Sequence, residues 1–256
     1  MSILITHISD THGLHRSLDD LPGGDILFHT GDFTEIGERD QVEDFIEWLS
    51  GQDYQHKIFI AGNHDLTLAS ERLAMVKWDW HRNGVHHKQS EYLSLGNVRP
   101  GWVDNMLANL PSGVTYLQDS GTKVLGLNVW GTPWSPTFGT MWAFNADPHA
   151  LQQAWALIPS DTDVLLTHTP PFGFGDRVSN GTRVGCEHLT RTINELGPCI
   201  HLCGHIHEDF GYRVMGNTRD TVTVNSSMPG DDLGRGRHDI EINNNGVYTV
   251  SLSSTQ

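Results

Sequence analysis

The sequence predicts an α/β protein built as a layered sandwich with helices on its outer faces. In the first third of the chain, short apolar strand-like runs alternate with helix-like stretches, the order that parallel pairing produces. The tail, by contrast, is strand after strand. No repeat, low-complexity tract or linker interrupts the chain, so residues 1–256 are expected to form a single domain, long enough for one well-buried core.

Taken in order, strands are expected at SILITHIS (2–9), DILFHTG (25–31), HKIFIAG (56–62), KVLGLNVWG (123–131), DVLLTHT (163–169), CIHLCGH (199–205) and TVTVNSS (221–227). Each is a short apolar run of strand length. HDIEI (238–242) and VYTVSL (247–252) flank NNNG, a hairpin signal because Asn and Gly tolerate positive φ. Helices are expected over 38–50, 66–82, 148–158 and 186–196. The last stops at Gly197-Pro198, where glycine permits a left-handed cap and proline bars continuation. The stretch WGTPWSPTFGTMWAF (130–144) is expected to be a long loop.

A net charge of −15 and the lack of a Lys/Arg cluster argue against a large nucleic acid as partner. Phosphates remain possible partners where metal ions supply the local positive charge. Three cysteines without a CxxC suit reduced thiols. MSILITHISD has neither a basic segment nor a long apolar run, and no run reaches membrane-spanning length. A soluble cytoplasmic protein without membrane partners is expected, its oligomeric state open.

Sixteen histidines are the unusual feature of the composition. His15, His56, His81, His86, His87 and His149 have the setting of surface or loop residues. Others close apolar runs together with carboxylates and an amide: Asp10-Thr11-His12, Gly31-Asp32-Phe33-Thr34-Glu35, Gly62-Asn63-His64-Asp65, Thr167-His168-Thr169 and Gly204-His205-Ile206-His207. In α/β sheets, ligands bind outside the carboxyl ends of strands. Asp-x-His and His-x-His send alternate side chains of an extended segment to one side. Imidazole, carboxylate and amide oxygen, without thiolate, suit Mn, Fe, Co, Ni or Zn. A bridging carboxylate can hold two such ions about 3.5–4 Å apart as a clamp for phosphoryl chemistry. Each motif alone is an ordinary turn or cap; the ordered set carries the inference.

That set (DTH, GDFTE, GNHD, a lone His168, then GHIH) resembles the calcineurin-like metallophosphoesterase superfamily. HTPPFGF (168–174), TRVGCEHL (182–189) and CGHIHEDFGY (203–212) are similar to the small metallophosphoesterase-domain-containing, brain protein 239FB-like family, near the class III cyclic-nucleotide phosphodiesterases. The resemblance spans residues 3–230 and implies a four-layer α-β-β-α sandwich with mixed sheets around two divalent ions, manganese first among the candidates. It implies that Asp10, His12, Asp32 and His207 hold one ion, and that Asp32 bridges to a second held by Asn63, His168 and His205. His64 takes the place of the catalytic histidine, which protonates the leaving alkoxide after in-line attack by a metal-bridging hydroxide. Glu35 stands where many relatives carry an Asp that orients this histidine, and Asp65 is a rival for that part.

GDFTEIG and GNHDLTL offer none of the arginines with which serine/threonine phosphatases of the superfamily grip phosphate at those places. A small phosphodiester or cyclic-nucleotide-like substrate is therefore expected; a phosphomonoesterase, or a slow metal- and nucleotide-binding sensor or scaffold, are the alternatives. Trp134, Phe138, Trp142, Phe172 and Phe174 lie on loops where they either border a pocket that stacks a base or pack the interior. Asn180 and Arg183 are candidate phosphate or base contacts, and Cys186 is expected to be a small buried apolar residue.

Overall fold

The computed structural model describes residues 2–18, 20–69, 79–82, 85–88, 99–139, 142–216, 220–228, 237–242 and 248–252. In chain order it opens with β1 (Ile3–Ile8), β2 (Gly24–Thr30), α1 (Arg39–Ser50), β3 (Tyr54–Ile60), β4 (Asp79–Arg82) and β5 (Val85–Lys88). Next come α2 (Gly101–Ala108), β6 (Val114–Tyr116), β7 (Ser120–Val124), β8 (Leu127–Thr132), β9 (Ser135–Pro136) and β10 (Asn145–Ala146). The chain continues through α3 (Pro148–Trp155), β11 (Val164–Thr167), α4 (Glu187–Leu196) and β12 (Ile200–Cys203). It closes with β13 (Gly211–Met215), β14 (Thr221–Asn225), β15 (Arg237–Ile242) and β16 (Tyr248–Leu252).

Two mixed sheets form the centre, in the orders β16-β15-β1-β2-β3-β6 and β13-β14-β12-β11-β8-β7. In the first, β1, β2, β3 and β6 run parallel, β15 pairs antiparallel with β1, and β16 pairs antiparallel with β15. In the second, β8, β11, β12 and β14 are parallel, with β7 and β13 antiparallel at the edges. Successive strand residues face opposite sides, and this sorts the core into three parts. Ile26, Phe28, Ile58 and Ile60 of the first sheet cluster with Val164, Leu166, Ile200 and Leu202 of the second. Leu27 and Phe59, one residue out of phase, pack with Val42, Phe45 and Leu49 of α1. Leu165 packs with Trp155 of α3 and with Leu189 and Ile193 of α4. The result is helix, sheet, sheet, helix.

The helices end as the sequence prescribes. Asp147 caps α3 by accepting the N–H groups of His149 and Ala150, and Pro148 occupies its first turn. Gly197 closes α4 in the left-handed region, at φ 61°. Buried Cys186 starts α4, its sulfur accepting the Leu189 N–H. No described helix is long and apolar enough to cross a membrane.

Four expectations need correction. KVLGLNVWG is not one strand but the β7–β8 hairpin, because Leu125 and Gly126 both take positive φ (50° and 88°) and make a two-residue turn. The helix expected over 66–82 is a single tight turn at Leu66–Leu68 and a strand at Asp79–Arg82; residues 70–78 lie outside those described. Burial of Leu66, Thr67 and Leu68, with the Thr67 hydroxyl donating to the Gly37 carbonyl at 2.6 Å, outweighs helix propensity there. His15 is buried, packed on Phe45 and Trp48 and bonded to Asp44 at 2.9 Å. The sequence pattern also passed over α2, β6 and β13, none longer than eight residues. The β15–β16 pairing is antiparallel as expected, and its NNNG turn lies outside the described residues.

Polar groups enter the core at defined points. His201 Nε2 meets the Thr167 hydroxyl at 2.8 Å, and His238 Nδ1 meets the Ser226 hydroxyl at 2.8 Å. Burial pushes both imidazoles down to about 3. Below about pH 6.5 the unfolded chain takes up protons that the folded chain refuses. Their contribution is therefore complete above that pH and is lost as pH falls toward 3. In urea denaturation of chelator-treated protein, each such histidine should remove about 1.4 kcal/mol of stability per pH unit across this window. His201→Asn should flatten the slope whatever its effect on the absolute value; an unchanged slope would show that His201 does not stay neutral in the fold.

Candidate metal centre

Parallel strands deliver their carboxyl ends to the same side. Asp10 follows β1, Asp32 follows β2, Asn63 follows β3, His168 follows β11, and His205 and His207 follow β12. A parallel bridge between Ser9 and Ser227 joins the two sheets at this end. The backbone there is unusual. Asp10, His12, Asp32 and His205 have φ of 55°, 42°, 55° and 72°, four of the seven non-glycine residues with positive φ among those described. Such conformations persist where the surroundings over-determine them. Here the Asp10 and His12 N–H groups donate to the Gly31 and Asp32 carbonyls, both at 3.0 Å, and lock the first strand end to the second. Glycine is required at three of these strand ends: a Cβ on Gly31 would crowd His168, one on Gly62 would overlap the Asp32 carboxylate, and one on Gly204 would overlap Ser9 and the Asp10 carboxylate.

Each carboxylate divides its oxygens. Asp32 Oδ1 accepts the His64 N–H at 2.7 Å, and Oδ2 lies 3.3 Å from His168 Nε2. Asp10 Oδ2 accepts the His205 N–H and the Ser227 hydroxyl, both at 2.9 Å, and Oδ1 shares the His205 N–H at 3.1 Å and lies 3.4 Å from His207 Nε2. Donor atoms of Asp10, His12 and His207 lie within 4.8 Å of one another, as do those of Asp32, His168 and His205, and of His12, Asp32 and His64. Asn63 joins through Oδ1, 2.9 Å from His168 Nε2. All seven metal candidates and His64 thus share one cluster.

The chemistry of the cluster fits cations. The Nδ1–H of His168 donates to the Thr30 carbonyl at 2.9 Å, so its Nε2 faces two oxygens, from Asp32 and Asn63, that are themselves acceptors. Only a shared positive charge, from a proton or a metal ion, makes that convergence favourable. Burial would lower His168, yet the charge and hydrogen bond of Asp32, with Asp10 behind, hold it up at about 9. Burial likewise disfavours charge on Asp32, but His168 and His64 keep its carboxyl well below the usual range. His12 and His207 turn their Nε2 atoms toward each other at 3.4 Å, and the buried Nδ1 of His12 has no partner among the described residues. Nitrogen and oxygen donors without sulfur suit divalent ions of the Mn-to-Zn group. Asp10, His12 and His207 would hold one ion and Asn63, His168 and His205 another, with Asp32 between.

The residues around His64 divide differently from the sequence-based expectation. Its Nδ1 donates to the backbone carbonyl of Glu35 at 2.7 Å, a contact any residue at that position could make. The carboxylate of Asp65 is engaged elsewhere. Fully buried, it accepts the N–H groups of Asp32 (2.9 Å), Thr34 (3.0 Å) and Gly62 (2.8 Å) and the Thr34 hydroxyl (2.7 Å). Burial and the nearby Asp32 push its pKa up to about 7. Asp65 is thus the brace between the loops after β2 and β3.

Of the loop aromatics, Trp142 lies 4.3 Å from the His64 ring and Phe138 lies 4.8 Å from the His205 ring, centroid to centroid. Trp134 instead donates its Nε1–H to Asp119 at 2.9 Å and packs on Phe144. Phe174 packs against the α3–α4 core. Asn180 closes a turn by accepting the Thr182 N–H, and Arg183 pairs with buried Asp176 at 2.5 Å. Phe172 is exposed, its backbone bonded to Cys186. These contacts of Trp134, Phe172, Phe174, Asn180 and Arg183 do not reach the cluster. Sequence reasoning missed Thr30 and Ser227; applying the strand-end rule to the NSS that closes β14 would have found the serine.

A family model described as calcineurin-like phosphoesterase matches residues 3–209. The human metallophosphoesterase domain-containing protein 1 is 40% identical over 225 residues, covering 86% of this chain and 64% of that protein. The UPF0046 protein T07D4.2 of Caenorhabditis elegans is 36% identical over 228 residues, covering 88% of this chain and 56% of that protein. The chain therefore spans less than two thirds of the length of these relatives, 64% of one and 56% of the other. The crystal structure of TT1561 from Thermus thermophilus shares the fold, with TM-score 0.57 at 14% identity over 98% of this chain and 99% of that one.

If Asp65 is the brace, Asp65→Ala strands three buried N–H groups and a hydroxyl. It should cost at least about 3 kcal/mol in urea denaturation, at a few kcal/mol or less per unsatisfied group. A loss below about 1 kcal/mol would contradict the assignment.

Proposed function

The chain belongs to the calcineurin-like phosphoesterase family, and on that premise we propose that it hydrolyses small phosphodiesters at a dinuclear centre held by Asp10, His12, Asp32, Asn63, His168, His205 and His207. The observation that carries the proposal is the convergence of these side chains beside a histidine held for proton transfer. When bound, two divalent ions supply Lewis-acid charge to the phosphate oxygens and acidify a water molecule. The rest is work for the protein. Asp10 and Asp32 are held ionised. His64 is fixed at both ends, its backbone N–H on Asp32 and its Nδ1–H on the Glu35 carbonyl, leaving Nε2 to hand a proton to the departing alkoxide.

The diester preference and the nucleotide-like substrate rest on what surrounds this core. Among the described residues, Arg183 is paired with Asp176 and Arg213 with Asp209, so neither offers a free guanidinium for the extra charge of a monoester. Trp142 and Phe138, stacked at 6.1 Å, flank His64 and His205 and offer a flat wall to a planar ester arm such as a base.

Chelator-stripped protein reloaded with Mn²⁺ should hydrolyse bis-p-nitrophenyl phosphate in preference to p-nitrophenyl phosphate. The reverse preference would replace the diesterase by a monoesterase, and no turnover at full occupancy would make it a binding protein. His64→Ala should retain two ions while kcat falls about 10²–10⁴-fold; loss of an ion instead would make His64 a ligand. Trp142→Ala should raise KM for the aryl diester about tenfold, a stacking contribution of about 1–3 kcal/mol, with metal affinity unchanged. An unaltered KM would remove Trp142 from the substrate wall.

A further inference from the structure

Ser226 and Ser227 follow β14 where the two sheets meet, both fully buried and both outside the motifs that mark the site. Their hydroxyls have different work. That of Ser226 sits between His7 Nδ1 at 2.7 Å and His238 Nδ1 at 2.8 Å, a link between β14, β1 and β15 that touches no candidate ligand. That of Ser227 donates to Asp10 Oδ2 at 2.9 Å. Ser227 is itself held, its N–H donating to Asn225 Oδ1 at 2.9 Å, while the Asn225 amide donates to the Gly175 and Ile206 carbonyls.

A carboxylate with both oxygens free can turn about its terminal bond and present either edge. At Asp10 the His205 N–H is shared between Oδ2 at 2.9 Å and Oδ1 at 3.1 Å, the Ser227 hydroxyl donates to Oδ2 alone at 2.9 Å, and Oδ1 faces His207. We propose that Ser227 is a positioning residue for the ion on the Asp10–His12–His207 side: by occupying Oδ2 it fixes the carboxylate plane and presents Oδ1 to the metal. The proposal rests on the dinuclear reading above. Outer partners of this kind typically contribute 10–100-fold to metal affinity. Among the described residues the hydroxyl has no counterpart on the Asn63–His168–His205 side, where the Thr30 carbonyl orients His168.

The test is Mn²⁺ binding to the full chain after chelator treatment, read from the electron paramagnetic resonance signal of free Mn²⁺. Two ions should bind the parent protein. Ser227→Ala should weaken one of them about 10–100-fold and leave the other within about twofold. Ser226→Ala should lower the thermal midpoint but weaken neither ion. Should Ser227→Ala fail to fold, Ser227→Cys keeps the volume with a weaker donor and should show the same one-ion loss. Unchanged binding, equal weakening of both ions, or the same one-ion loss in Ser226→Ala would each overturn the role of Ser227. Fewer than two ions on the parent protein would overturn the dinuclear reading, and this proposal with it.

Discussion

Two buried carboxylates, Asp10 and Asp32, held ionised at the ends of adjacent parallel strands, are the constraint on which the rest of the structure depends. A lone carboxylate in a protein interior is too costly to keep charged. Here Asp32 has one oxygen on a backbone N–H and the other facing an imidazole, while Asp10 shares the His205 N–H between both oxygens and turns Oδ1 toward His207. This arrangement demands the left-handed backbone at both aspartates, the lack of a side chain at Gly62 and Gly204, and strand ends close enough to supply histidines from the opposite sheet. Two sheets with four parallel strands each, stacked with those ends together, satisfy all three demands at once.

The interior changes character as it nears the cluster. Between the sheets it is aliphatic around Ile26, Ile58, Val164 and Ile200, then becomes a ladder of hydroxyls and imidazoles. Thr30 serves twice, its carbonyl orienting His168 and its hydroxyl meeting His7 at 2.9 Å. His7 passes to Ser226 and on to His238. The chain ties the geometry of the cluster to the pairing of distant strands and ends at His238, whose buried Nε2 has no partner among the described residues.

The fold was largely legible because its signals are short-range: apolar runs of strand length and a Gly-Pro stop after α4. What failed was decided by tertiary contact. Leu66–Leu68 looks helical in sequence, but its side chains are drawn into the first sheet's outer core. His15 looks like a loop residue, but Phe45 and Trp48 cover it. The cluster itself was legible because ligand types recur at strand ends. The surrounding parts were not, since Asp65 and Arg183 carry charges whose partners, backbone amides and buried Asp176, leave no local mark in the sequence. The aromatic wall was half legible: Trp142 and Trp134 share one loop, and only the fold sends one to His64 and the other to Asp119.

The central claim is that Asp32 stands between two metal sites. The most direct measurement is anomalous diffraction at the manganese edge from crystals of the Mn²⁺-loaded protein. The account predicts two peaks about 3.5–4 Å apart, one beside Asp10, His12 and His207 and the other beside Asn63, His168 and His205, with the Asp32 carboxylate between them. A single peak, or two peaks that do not share Asp32, would contradict it.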